Sequence, residues 1–317
     1  MATRRSDQIL VRELAQSYPD KVTSCFGYHP WFTHWITLDA NISKEYHYRT
    51  LLLDNVNPKS EHVEAFEKLL TYLPEPTSLP EVLSDLRNNL SFFPDAMLGE
   101  VGIDRSARIP YSHPAPPPYS LHDDGTRKDL SPFTIPIDHQ LVILEAQLDL
   151  AVELQRNVSI HSVKSQQATV ELLDKMKKKH ESQWESISID MHSCGLSVET
   201  WKTIQKKHSN VFLSLSTAIN SRSPAHRNLI SACSPHRILV ESDFHDVRYS
   251  TQQTWEMLRI IAEVHRWKIE DNWMYSHDDA DREDDWGAVR RLEENWKRFQ
   301  QGGHNRSEFV KPKNHMK

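Results

Sequence analysis

Apolar residues along the chain follow two spacings, one typical of buried strands and one typical of amphipathic helices. Short apolar runs occur near positions 22, 96, 158, 187, 211 and 237. Between them, apolar side chains recur every three or four residues, as in "IDHQLVILEAQLDLAVELQRN" and "TQQTWEMLRIIAEVHRW", which predicts helices with one buried face. A strand-then-helix order is typical of parallel strands joined by helical crossovers. The sequence therefore predicts an α/β fold with six strands.

Two segments depart from this rhythm. Residues 105–136 are rich in proline and polar side chains, which predicts an extended surface insertion rather than part of the core. After about residue 270 the chain becomes acidic and then basic. We therefore expect a barrel-type domain over residues 1–270 and a charged, partly disordered tail over 271–317, within which "WGAVRRLEENWKRF" has helical spacing.

Composition narrows the class of protein. The 317 residues are 38% hydrophobic and carry a formal net charge of -6, which argues against binding nucleic acid through bulk positive charge. The three cysteines, Cys25, Cys194 and Cys233, form no CxxC pair, so neither a disulfide framework nor a thiolate zinc site is predicted. No apolar run approaches the length of a membrane span. We expect a protein of the cytoplasm, the nucleus or both, without a membrane segment.

Polar side chains of metal-ligand type follow four of the predicted strands. They are Glu100 in "LGEVGID", His161 in "SIHS", His192 in "DMHS" and Asp243 in "VESD". Catalytic groups converge at the carboxyl ends of the strands in a parallel barrel. Imidazole and carboxylate together suit zinc, manganese or iron, and such a centre polarises water for hydrolysis.

Each of these residues also has an ordinary structural interpretation. A single histidine at a strand end is often a hydrogen-bonded packing residue, and Asp243 alone could cap the following helix. The occurrence of four such residues at successive strand ends favours a metal site. His29 in "GYHPW" and His245 after Asp243 are weaker candidates for substrate binding, and a packed turn and a solvated loop remain the alternatives.

The motifs "FGYHPW", "LGEVGID", "SIHS", "MHSCG" and "HRILVESDFH" occur in an order and spacing that resembles the TatD family of metal-dependent hydrolases, most of all its fungal branch. The resemblance covers about residues 1–267. It implies a TIM-type (β/α)8 barrel with 3'-5' deoxyribonuclease activity on DNA. It also implies that Glu100 shares up to two divalent metals (Mg, Mn or Zn), that His161 and His192 bind one of them, and that Asp243 binds metal and acts as the base on water.

The sequence departs from the family pattern at its start. The family begins with an apolar strand ending in His-x-His, whereas no histidine precedes His29 here. We therefore expect a barrel with about six of its eight strands, either because Met1 is an internal start of a longer protein or because the chain is a degenerate relative; we favour the first. In addition, Val163 stands where the family usually has arginine, and "HSCG" is one residue shorter than the usual motif.

Three functions follow as hypotheses. The first is a metal-dependent deoxyribonuclease, impaired in this chain by the absent His-x-His ligands. The second is an interaction protein whose catalysis has lapsed, since the fungal branch is named for binding a helical-repeat subunit of the anaphase-promoting complex. The third is an amidohydrolase-like enzyme acting on a small amide or ester, which the four ligands alone do not exclude.

Overall fold

Six parallel strands form the main sheet in the computed structural model of the protein, which describes residues 1–53, 58–117, 119, 129–221, 223–270 and 286–304. The strands follow one another in the sheet in their order along the chain, so the sheet curls as in a TIM-type barrel. The first and last of the six strands lie at the two edges, and within the described ranges the barrel is not closed. The predicted fold class and strand number are confirmed.

The helices and strands have the following bounds. The strands are β1 (Cys25–Phe26), β2 (Ile36–Thr37), β3 (Thr77–Ser78), β4 (Met97–Asp104), β5 (Arg108–Pro110), β6 (Leu130–Thr134), β7 (Val158–Val163), β8 (Ile189–Met191), β9 (Val211–Ser216) and β10 (Ile238–Glu241). The helices are α1 (Arg5–Ser17), α2 (Lys44–Leu52), α3 (Ser60–Leu70), α4 (Leu79–Phe92), α5 (Ile137–Glu153), α6 (Gln166–His180), α7 (Val198–Lys207), α8 (Thr217–Asn220), α9 (His226–Ala232), α10 (Val247–His265) and α11 (Ala288–Gln301).

The main sheet has the order β1-β4-β7-β8-β9-β10, and the helices cover it from outside. Most residues of its strands are buried because helices and the barrel interior cover both faces of a parallel sheet. All six residues of β9 are buried, for example. This core holds the carboxyl ends of the strands in fixed positions at one end of the barrel.

The insertion at 105–136 is more ordered than the sequence analysis expected. Strands β5 and β6 pair antiparallel within it, and Ile109 and Phe133 are buried in a second hydrophobic cluster with Tyr48 and Phe66. The expectation of a purely extended surface segment is therefore wrong for the two ends of the insertion. Its apolar residues are too widely spaced to form a recognisable strand pattern. They are buried because helices α2 and α3 lie beside them. Residues 118 and 120–128 lie outside the described residues.

Helix α11 packs on the barrel rather than lying in a separate tail. Phe299 is fully buried and contacts Phe212 of β9 edge to face. The side-chain amide of Asn295 donates to the backbone oxygens of Pro235 and Ile238. The packed body therefore continues to residue 301, and the predicted boundary at 270 does not mark its end. The remaining tail segments, 271–285 and 305–317, lie outside the described residues.

Two observations bear on the other expectations. In the part of the chain that the structure describes, no helix is long and apolar enough to cross a membrane. The three cysteines are free and buried.

Gly102 allows β4 and β7 to approach each other closely at the site. Its register partner is His161, and a side chain added at Gly102 would overlap the backbone oxygen of that histidine. The second glycine of "GEVG" is thus required because the two strand backbones lie too close together for a larger side chain.

Gly102→Ala is expected to destabilise the protein by about 1–3 kcal/mol, the usual cost of overpacking, because β7 must shift to accommodate the new methyl group. Thermal or urea unfolding monitored by circular dichroism measures this loss. Gly195→Ala is the matched control, since a side chain there meets no atom within 4 Å. Equal stability of the two variants would contradict the interpretation.

Candidate metal centre

Glu100, in the middle of β4, lies at the centre of a group of polar side chains that occur on or just after the strands of the main sheet. Its Oε1 is 3.0 Å from Nδ1 of His161 on β7 and 3.7 Å from Nε2 of His192, which follows β8. The same His192 nitrogen is 3.3 Å from Oδ1 of Asp243, which follows β10. The four residues singled out from the sequence are therefore connected through consecutive contacts, with Glu100 between the two histidines.

The charge of Glu100 is stabilised by its neighbours. Burial acts to raise the pKa of this carboxyl, but hydrogen bonds from His161 and His29 and the proximity of His192 outweigh it and hold the pKa well below its usual range. Glu100 is thus an anion in a largely buried site, which is tolerated only where positive or polar partners surround it.

The two histidines carry raised pKa values for the complementary reason. Burial acts to lower the pKa of His161, but Asp104 and Glu100 outweigh it and raise the pKa to about 9. At His192 burial acts in the same direction, and the charge of Glu241, together with Asp243, raises the pKa to about 12. Carboxylates that hold a positive charge in this way also suit a bound cation.

Neighbouring atoms in this group are spaced as two ligands of one divalent ion would be, although the ligand atoms that all lie within 4.8 Å of one another among the described residues form two other groups, His29 with Glu100 and His161, and Asp190 with His192 and Glu241. Two ligand atoms at typical zinc distances of 2.0–2.1 Å in a tetrahedral arrangement lie about 3.3 Å apart. The distances of 3.0, 3.3 and 3.7 Å between the nitrogen and oxygen atoms bracket that value. Two imidazoles and two carboxylates are a donor set that zinc, manganese and iron accept.

His29 also contacts Glu100, but its ring is poorly suited to bind metal. Nε2 of His29 is 3.4 Å from Oε1 of Glu100, and Nδ1 accepts a hydrogen bond from the backbone N–H of Trp31 at 3.2 Å. Burial lowers the pKa of His29, so the ring is neutral. A neutral ring that accepts at Nδ1 carries its proton on Nε2. His29 therefore donates to Glu100 and holds it, although it lies close enough to His161 and Glu100 to complete a three-residue group.

His245 lies apart from this group. Its exposed ring stacks on Phe244, and the neighbouring Arg248 forms an exposed ion pair with Asp246 at 2.6 Å. The structure thus brings Glu100, His161, His192, Asp243 and His29 together, and it leaves His245 on the adjoining loop.

Sequence analysis did not single out Asp104 or Glu241, although both stand in the quoted motifs "LGEVGID" and "VESD". Asp104 Oδ2 lies 3.5 Å from Nε2 of His161, and Glu241 Oε2 lies 2.5 Å from Nδ1 of His192. Asp104 stands four residues after Glu100, and Glu241 stands two residues before Asp243. Residues two or four apart on a strand share a face, so this spacing was the available signal, whereas the ring nitrogen that each carboxylate faces is visible only in the structure.

A cavity of about 520 Å³ lies inside the barrel below the centre. Inward-pointing residues of the strands line it together with α11, including Cys25, Asp190, Leu239 and Phe299. Burial and the nearby charge of Glu241 raise the pKa of Asp190 to about 7. Asp190 accepts from Ser159 Oγ at 3.2 Å, and its Oδ1 has no hydrogen-bond partner among the described residues.

Comparison with known proteins identifies relatives along most of the chain. A family model described as TatD related DNase matches residues 1–278. Cut9-interacting protein scn1 of Schizosaccharomyces pombe is 30% identical in an alignment of 302 positions that covers 86% of this chain and 86% of that protein. Uncharacterized deoxyribonuclease YMR262W of Saccharomyces cerevisiae is 25% identical in an alignment of 280 positions that covers 84% of this chain and 82% of that protein.

Solved structures agree at the level of the fold. A hydrolase TatD family protein from Entamoeba histolytica gives a TM-score of 0.54 at 11% identity, covering 94% of this chain and 82% of that chain. The TatD homologue YJJV from Escherichia coli K12 gives a TM-score of 0.53 at 15% identity, covering 95% and 84%. At these identities the likeness is one of fold alone.

Glu100→Ala is expected to abolish tight binding of Zn²⁺ or Mn²⁺, because it removes the oxygen that lies between the two histidines. Isothermal titration calorimetry of the metal-free protein measures the affinity. Glu13→Gln serves as the control, since Glu13 is an exposed carboxylate on α1. Unchanged affinity in Glu100→Ala would contradict the assignment of the centre.

Proposed function

This chain belongs to the TatD family, and on that premise we propose that it is a metal-dependent hydrolase that cleaves phosphodiester bonds in DNA. The contacts that join His161, Glu100, His192 and Asp243 are the single observation that supports this proposal most strongly. Mg, Mn and Zn are all compatible with this donor set. Location in the cytoplasm or the nucleus stays a prediction.

Glu100, His161, His192 and Asp243 are the residues that would hold the metal. When bound, a divalent metal lowers the pKa of water and polarises a phosphoryl oxygen. Glu100 would hold metal together with either histidine, because its Oε1 faces His161 on one side and His192 on the other.

Asp243 is the residue that we assign to proton transfer. Its side chain is 31% exposed, against 14% for Glu100, so it is the carboxylate of the group most accessible to water. Oδ2 accepts a hydrogen bond from Ser193 Oγ at 3.1 Å, which fixes its orientation while Oδ1 faces His192. A fixed, partly exposed carboxylate beside the site of attack is suited to accept the proton of a reacting water.

Exposed groups around the mouth offer contacts to a nucleic acid. Trp31 is 51% exposed and lies edge-on to the ring of His29, and a flat aromatic surface of this kind can stack with a base. His245 lies exposed on the loop after Asp243, where we propose that it contacts phosphate. His29 is buried beside Trp31. We therefore assign it to holding Glu100 in place rather than to contact with substrate.

Asp243→Asn is expected to reduce kcat on DNA by about 10²–10⁴-fold, the usual contribution of a general base. End-labelled single-stranded and double-stranded DNA, assayed with Mg²⁺, Mn²⁺ and Zn²⁺ in turn, measures the activity. Glu13→Gln is the control and retains the activity of the unaltered chain. Cleavage by the unaltered chain is expected to be slow, since the sequence analysis predicts an impaired enzyme, and cleavage at the same rate by Asp243→Asn would refute the nuclease assignment.

A second candidate function is the binding of a protein partner. The Schizosaccharomyces pombe relative is named for interaction with Cut9, and we propose that this chain binds the counterpart of that partner, a helical-repeat subunit of the anaphase-promoting complex. The outer face of α1 supports it, because Leu10 and Leu14 are four residues apart on the helix and are 38% and 48% exposed, and Tyr18 directly after the helix is 53% exposed. Apolar residues at this spacing form a stripe that another helix can cover.

The double variant Leu10→Ser, Leu14→Ser is expected to lose capture of this partner in a pull-down with the full-length chain, because it removes two apolar contacts from the centre of the stripe. Glu100→Ala is expected to retain capture, since the metal centre lies at another part of the barrel. Loss of capture in Glu100→Ala with retention in the double variant would exclude α1 as the binding surface.

A further inference from the structure

Two carboxylates lie behind the histidines of the centre, on the side away from Glu100. Oδ2 of Asp104 faces Nε2 of His161 at 3.5 Å, and Oε2 of Glu241 faces Nδ1 of His192 at 2.5 Å. In each ring the opposite nitrogen is the one that approaches Glu100. Each imidazole therefore lies between a candidate metal site and an outer carboxylate.

The distance at Glu241 indicates support rather than metal binding. Asp190, His192 and Glu241 lie close enough together to suggest a second cation site. However, the contact of Oε2 with Nδ1 of His192 is an ion pair at 2.5 Å without hydrogen-bond geometry, and this separation is well below the value of about 3.3 Å expected for two ligands of one ion. In addition, Oε1 of Glu241 accepts from the backbone N–H of Ser193 at 2.6 Å. Both oxygens of Glu241 are thus engaged by protein groups.

Asp104 is held at least as firmly. Its Oδ1 accepts from the backbone N–H groups of Ser106 and Ala107 at 2.7 and 3.1 Å, and its Oδ2 accepts from the indole N–H of Trp31 at 2.7 Å. These donors and its burial leave the carboxylate with one orientation. The orientation directs Oδ2 at His161.

We propose that Asp104 and Glu241 are positioning residues that fix the tautomers and orientations of His161 and His192. This inference rests on the proposed metal-dependent function. Asp104 holds the proton of His161 on Nε2 and leaves Nδ1 to face the metal. Glu241 holds the proton of His192 on Nδ1 and leaves Nε2 to face the metal. The two histidines thus serve the centre through opposite nitrogens, and the outer carboxylates also increase the basicity of the rings.

The tautomers are measured directly in the unaltered full-length chain loaded with Zn²⁺. Long-range ¹H–¹⁵N correlation spectra of histidine-labelled protein are expected to place the proton of His161 on Nε2 and that of His192 on Nδ1. His161→Gln and His192→Gln serve to assign the two signals. A proton on the same nitrogen in both rings, or the reverse arrangement, would overturn the inference. This measurement does not depend on the folding of an Asp104 or Glu241 variant.

Asp104→Asn and Glu241→Gln are each expected to weaken Zn²⁺ affinity by about 10–100-fold, the usual effect of losing such a partner. Asp190→Asn is the matched control, because Asp190 is a buried carboxylate two residues before His192 but bonds to Ser159 and borders the internal cavity. Circular dichroism of the metal-free variants establishes that they fold.

The outcomes separate this inference from the proposed function. Wild-type affinity in both variants would refute the inference, and an equal loss in Asp190→Asn would do so as well. A chain that binds Zn²⁺ in the expected tautomers but cleaves no DNA would refute the nuclease function and leave the positioning roles intact. A chain that binds no divalent metal would overturn both.

Discussion

A buried carboxylate contacted by three imidazole rings is the interaction on which the mouth of this barrel depends. Removing an unpaired charge from water costs several kcal/mol, so Glu100 can lie where it does only if its partners arrive together. They come from three separate parts of the chain: His29 after β1, His161 on β7 and His192 after β8. The order of the strands and the close approach of β4 to β7 at Gly102 are therefore conditions for a stable anion at this position.

The features that could be predicted from the sequence are those that depend on short stretches of chain. An apolar run followed by a polar residue predicts a strand and the face on which that residue emerges, which is why the six strands and the proximity of Glu100, His161, His192 and Asp243 followed from the pattern. The roles of Asp104 and Glu241 could not be predicted in the same way. They depend on which nitrogen of a distant ring each carboxylate faces, and side-chain orientation across strands is set by packing. The role of His29 likewise depends on one backbone N–H, that of Trp31.

The elements that the sequence analysis described differently share a physical cause. Ile109 and Phe133 stand in a proline-rich segment without strand periodicity, yet a hairpin forms because α2 and α3 supply an apolar surface for them. The apolar residues of helix α11 recur at helical spacing. The charged residues around them gave no indication that Phe299 is buried against the barrel. In both cases contacts from elsewhere in the chain decide the structure, and such contacts leave little trace in local composition.

The position of α11 has a practical consequence for the limits of the folding unit. The match to the family model ends at residue 278, before this helix begins. A shortened protein ending there would keep every residue of the proposed metal centre, yet it would expose the apolar side chains of Phe212 and Leu239 that now pack against Phe299. Aromatic and aliphatic surface that becomes exposed to solvent promotes self-association. The match to the family model therefore ends before the packed body of the protein does. An expression fragment is best designed to include the whole of α11.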